Sequence, residues 1–62
     1  MIRFIGYAPD DQTLRIQFNK SVYDYFLVPL SVGQQAEAML AGGDHGWFAA
    51  HVKGIYPMRR VV

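Results

Sequence analysis

The sequence predicts an α+β fold: a three-stranded antiparallel meander with two helices packed on one face, followed by a short fourth strand or an extended tail. Three observations carry this expectation. Leu14-Arg15-Ile16-Gln17-Phe18 and Val22-Tyr23-Asp24-Tyr25-Phe26 flank a short polar turn, and their period of two is that of a β-hairpin. Two later stretches repeat apolar residues at i, i+4, i+7 and i+8, the stripe of an amphipathic helix. Proline, glycine, asparagine and aspartate stand between these segments, each able to shape a turn.

Residues 2–8 form the first predicted strand, with Ile2, Phe4 and Gly6 on one face and Arg3, Ile5 and Tyr7 on the other. Pro9-Asp10-Asp11-Gln12 is a turn, because proline presets φ and aspartate bonds its own backbone two residues on. The second strand spans residues 13–18, and Asn19-Lys20-Ser21 turns the chain, asparagine tolerating positive φ. The third spans residues 22–27. It places Tyr23 and Tyr25 on one face and Val22, Asp24 and Phe26 on the other. Val28-Pro29 ends it, since proline donates nothing to a ladder.

Ser31-Val32-Gly33-Gln34 fits a capping box. Val32, Ala36, Met39 and Leu40 make the first helical stripe, weakened by Gly33 in the first turn and stopped by Gly42-Gly43. Asp44 is a candidate N-cap for a second helix. Its stripe is Phe48, Val52, Ile55 and Tyr56, and Pro57 ends it. Residues 58–62 supply the fourth strand or the tail.

The 62 residues make one domain, residues 1–62, without repeats or linkers. A chain this short buries only about 60% of its unfolded surface. There is no cysteine for a disulfide, and His45 and His51 lack a third ligand for a metal. Apolar residues make up 52% of the chain and nine are aromatic (one Trp, four Tyr, four Phe). Such richness implies either an aromatic core or surface buried against a ligand or a second copy. The net charge of +1 excludes a strongly basic, nonspecific nucleic-acid binder but not a local patch. No apolar run is long enough to span a membrane. The opening Met-Ile-Arg-Phe lacks a signal-peptide shape, so a cytoplasmic location is expected.

The side chains with most chemical promise are aromatic and basic. Tyr23 and Tyr25 suit a stacking platform backed by Arg15 and Arg3; equally they suit a place under the helices with hydroxyls at the rim. Asp24 weighs on the choice. On a buried face it needs Arg15, Lys20 or a backbone donor. The simpler arrangement exposes Val22, Asp24 and Phe26 and turns the tyrosines inward. Trp47 and His51 share one side of the second helix, as an aromatic wall or as a partly buried histidine with one hydrogen bond. Asp44-His45-Gly46 offers a helix N-terminus to an anion, but it lacks the Lys-Ser/Thr of a P-loop, and ordinary capping by Asp44 explains it better. Lys53, Arg59 and Arg60 form the one basic cluster, as phosphate contacts or as a solvated end. No catalytic reading survives. Thr13, Ser21 and Ser31 sit at strand starts, turns or caps without a base, and the five carboxylates form no evident pair.

Nearly the whole chain resembles the KTSC domain family. The resemblance rests on Ile5-Gly6-Tyr7 before a turn, Leu14-x-Ile16-x-Phe18, Tyr23-x-Tyr25, Val28-Pro29, Gly46-Trp47-Phe48, and Val52-Lys53-Gly54-x-Tyr56-Pro57-x-Arg59-Arg60. Three positions depart from the family pattern: Lys20-Ser21 replaces a turn glycine, Asp44 a serine, and Ala49 an asparagine. Any family site built on those polar positions would be altered here. Members of the family occur alone in bacteria and phages and at the C-terminus of some lysyl-tRNA synthetases. The resemblance therefore implies RNA binding, by analogy.

The combined expectation is a non-catalytic binding module for RNA or a nucleotide, with no cofactor, no metal and no membrane. Tyr23, Tyr25, Trp47 and His51 would supply the walls, and Arg15, Lys53, Arg59 and Arg60 the phosphate contacts. The site would lie within one copy or at a homo-oligomer interface. The alternative is a homo-oligomeric protein-interaction module that uses the spare sheet face. That alternative includes a phage-encoded protein that sequesters a signalling nucleotide or blocks a host protein.

Overall fold

A computed structural model describes residues 2–61. Met1 and Val62 lie outside the described residues, and with them the ends of the expected domain and tail. Four strands form one antiparallel sheet in the order β1-β2-β3-β4: β1 (Ile2–Ala8), β2 (Thr13–Phe18), β3 (Ser21–Tyr25) and β4 (Met58–Arg60). Helices α1 (Leu30–Ala41) and α2 (His45–His51) lie between β3 and β4 in sequence. The meander, the two helices and the short fourth strand are as the sequence predicts.

Tight turns fix the register. Gln12 and Asn19 both take φ of 52°, the left-handed conformation in which asparagine is at home. Leu14 then pairs with Tyr25 and Ile16 with Tyr23, while Tyr7 pairs with Leu14 and Ile5 with Ile16. One face of the sheet thus carries Ile5, Tyr7, Leu14, Ile16, Tyr23 and Tyr25. The helices cover this face, and the core of Leu14, Ile16, Tyr25, Val28, Ala36, Leu40, Phe48 and Val52 forms there. Ile2 joins it rather than sharing a face with Phe4 and Gly6. The register slips between Ile2 and Phe4, and one extra residue in a strand flips every side chain before it.

The helices differ from expectation at their ends. Pro29, extended at ψ 157°, is the N-cap of α1 and no side chain caps it. Proline has already set the entry angle, so the helix begins before Ser31 and the capping box does not form. Gly33, Ala36 and Leu40 form the buried stripe of α1, and Met39 is exposed. Asp44 caps α2, accepting the Trp47 N–H at 3.0 Å. α2 stops at His51 instead of running to Tyr56, and Gly54, at φ 80°, turns the chain. Phe48 and Val52 are buried as the stripe requires, but Ile55 is 59% exposed. No helix among the described residues is long and apolar enough to cross a membrane.

Candidate functional site

The register sends the tyrosine pair under the helices, yet the roof over it is incomplete. Tyr25 is 4% exposed and meets Phe48 edge-on, centroids 5.4 Å apart. Tyr23 is half-buried and meets Phe18 in the same manner at 6.1 Å. Such aromatic pairs bring the positive edge of one ring to the negative face of another. A cavity of about 330 Å³ opens beside them, lined by Phe18, Tyr23, Tyr25, Phe48, Lys53 and Met58. Four rings make its walls, and Lys53 brings the one ammonium group. This volume stands at the small end of ligand pockets, about 300–1,000 Å³, and suits one flat ring system.

The Tyr25 hydroxyl has no hydrogen-bond partner among the described residues, although the side chain is nearly buried. Among the described residues no fully buried side-chain polar atom lacks a partner, so this oxygen keeps an outlet to solvent. Burial, and secondarily the neighbouring Tyr23, push its proton affinity above that of an ordinary phenol. It is therefore a neutral donor at physiological pH. Arg60 stands opposite Tyr23 on the same sheet face, and its Nη2 donates to Ser21 Oγ at 3.1 Å.

The other basic residues lie elsewhere. Arg15 pairs in register with Asp24, and Asp24 with Arg59, which puts all three on the open face of the sheet. The grouping of Arg15 with the tyrosines is thereby corrected: neighbouring residues in a strand point to opposite faces. Arg15 instead grips Asp24, Nε to Oδ1 at 2.7 Å and Nη2 to Oδ2 at 2.8 Å. These bonds, aided by the charges of Arg15 and Arg59 against the cost of burial, hold the carboxyl below the usual carboxylate range. Asp24 is thus on the uncovered face and still 4% exposed. Arg59 lies over the Phe26 ring, 5.8 Å from its centroid. Trp47 and His51 stack within α2 at 4.9 Å and 15°, and His51 Nδ1 is 3.0 Å from the Trp47 carbonyl. Neither lines the tyrosine cavity.

Of the eight expected site residues, the structure brings together Tyr23, Tyr25 and Lys53, with Arg60 adjoining. Phe18, Phe48 and Met58 complete the walls and were not among them. Phe18 and Phe48 carry a pure core signal in sequence, since they continue the apolar alternation and the helical stripe. Met58 is signalled only by its alternation with Arg59.

A family model described as the KTSC domain matches residues 1–56 of the chain. No curated protein matches it.

Proposed function

The chain belongs to the KTSC domain family, and we propose that it is a non-catalytic module that binds a nucleotide, or one nucleobase of an RNA strand, in the tyrosine cavity. The observation that supports this reading is the nearly buried Tyr25 hydroxyl, without a partner among the described residues, in a cavity walled by three further aromatic rings and one lysine. A nucleobase offers a π-face to the rings and polar edges to the phenol. Lys53, on the cavity wall, would bring positive charge to a phosphate attached to such a base. Trp47, His51, Arg15 and Arg59 have no part in this cavity.

Equilibrium binding with AMP, UMP and a ten-nucleotide single-stranded RNA tests it. Tyr23→Ala lowers affinity by about fivefold to a hundredfold, the worth of one stacking contact, while the melting transition stays cooperative. Lys53→Gln flattens the salt dependence. Absence of binding to all three probes at millimolar concentration rejects the reading.

A second reading, self-association, has its own support. Leu27 takes φ of 60° and is 66% exposed. A leucine held in the left-handed region with its side chain in water is costly twice over, and a second copy that covers it recovers part of that cost. Light scattering decides: a monomer at micromolar concentration rejects self-association.

A further inference from the structure

The two edges of the sheet are built differently. β4, at one edge, is three residues long, carries Arg59 and Arg60, and follows directly on Pro57. A short strand with cations on it and a proline before it is a guarded edge. β1, at the other edge, is seven residues long and pairs with β2 alone. Its one charged residue is Arg3, in the bulge between Ile2 and Phe4. From Phe4 to Ala8 the strand has neither charge nor proline. No backbone hydrogen bond outside the sheet and helix ladders reaches residues 2–8, so the outward N–H and C=O groups of β1 have no partner among the described residues. Alternate residues of an antiparallel strand point both groups away from the partner strand, and that row fits another extended chain.

The surface beside this edge is apolar. Phe4 is 52% exposed, and its ring folds over Gly6, where an added Cβ would stand 3.0 Å from Phe4 Cζ. On the helix face a groove of about 340 Å³ runs between β1 and the end of α1, lined by Ile2, Ile5, Leu40 and Ala41 beside Arg3 and Phe4. Covering the edge therefore takes apolar surface out of water and strips no carboxylate of its hydration.

We propose that β1 is the seam of a two-fold dimer, in which it pairs antiparallel with β1 of a second copy and joins the two sheets into one of eight strands. The proposal rests on the self-association reading, though not on Leu27, and gives it a surface. The axis passes at Gly6, the centre of the uncharged segment. Gly6 then faces Gly6 of the second copy, Phe4 faces Ala8, and Ile5 faces Tyr7. The two Phe4 rings flank the glycine pair on the open face, supplying the side-chain cover that a glycine in a strand lacks. The occupant is a second copy because the segment matches its own reverse, as a two-fold interface requires, and the match opposes no like charges. The two Arg3 side chains end about 20 Å apart, an offset of about six residues at about 3.3 Å each, well beyond the screening length of about 8 Å. Pairing through β4 would instead set arginines against arginines, so the eight-stranded sheet ends in a guarded strand on both sides.

Light scattering and amide hydrogen exchange of the full chain test this. The expected mass is that of two chains, with consecutive amides from Ile5 to Ala8 protected together. In an uncovered edge strand every second amide exchanges freely. Phe4→Lys is expected to raise the dissociation constant roughly tenfold, because two aromatic cross-strand pairs are lost from each dimer, and to leave the melting transition cooperative. Phe4→Cys combined with Ala8→Cys, in a chain that has no cysteine of its own, is expected to form intermolecular disulfides on mild oxidation, and neither single variant is. Within one chain the two positions are about 13 Å apart, too far to bridge. A dimer whose β1 amides exchange in alternation, or whose affinity survives Phe4→Lys, overturns the β1 seam while self-association through another surface stands. Cross-linking by Phe4→Cys alone overturns the pairing about Gly6. A monomer overturns both the seam and self-association.

Discussion

The ring of Tyr7 lies against the backbone of Gly33, so close that a Cβ at residue 33 would stand 2.4 Å from Tyr7 Cδ1. This contact seats α1 on β1, and the Tyr7 hydroxyl donates to the Val28 carbonyl just ahead of the helix. A glycine that reads as a weak point in the helix is the place where a strand side chain docks. Gly33→Ala is therefore expected to destabilise by about 1–3 kcal/mol through overpacking, opposite in sign to the gain of about 1 kcal/mol at an unconstrained helical position. Urea denaturation of the variant checks this, and Tyr7→Ala in the same background should remove the penalty of the added methyl.

Asp24 makes stability depend on acid. Its carboxyl is held below its unfolded value by the Arg15 hydrogen bonds, so the unfolded state takes up a proton first as pH falls. The contribution is complete above the unfolded carboxylate value of about 4 and disappears as pH drops through the lower folded value. Asp24→Asn should flatten the stability profile below about pH 4 while lowering stability at neutral pH. Thermal melts from pH 2 to 7 read both effects, and an unchanged acid limb would remove Asp24 from the account.

Leu27→Gly tests the strained corner after β3. At φ of 60° glycine relieves a conformation worth about 1 kcal/mol to a non-glycine residue, partly offset by greater freedom of the unfolded chain. Loss of an exposed side chain removes little packing. The monomer should melt at an equal or higher temperature. A large fall in melting temperature that depends on protein concentration would instead show that Leu27 is covered in an assembly.

Tyr25→Phe removes a hydroxyl that has no hydrogen-bond partner among the described residues. Stability should change by no more than about 0.5 kcal/mol, because no hydrogen bond is lost and the Phe48 contact remains. Nucleotide affinity should fall, since the phenol is the polar group offered to the base. A drop in stability without a drop in affinity would make the hydroxyl structural.

Asp44→Ala addresses the start of α2. The carboxylate accepts the Trp47 N–H, and loss of such a cap costs about 0.5–2 kcal/mol. Chemical denaturation should show that cost with no change in the binding of AMP, as expected of a cap rather than an anion site.

Much of this arrangement is readable from the chain alone. Alternation marks β1 and β2, since side chains of a strand point to opposite faces and only one face is dry. The stripe through Ala36 and Leu40, and that through Phe48 and Val52, mark the helices for the same reason at a longer period. Asp44 announces its cap. The dilemma of Asp24 also points correctly to the tyrosines turning inward, because an unpaired carboxylate has no place in an apolar core.

Other features needed the tertiary structure. Tyr23 and Tyr25 are paired by sequence, but their placement beside Lys53 depends on how far α2 extends, and that is set by the turn at Gly54. Arg15 and Arg59 stand 44 residues apart in the chain and flank Asp24 only because β4 returns to the edge of β3. Local periodicity states which side chains leave water together. Which distant side chains then become neighbours is decided by strand register and helix length, through contacts between segments that no local pattern records.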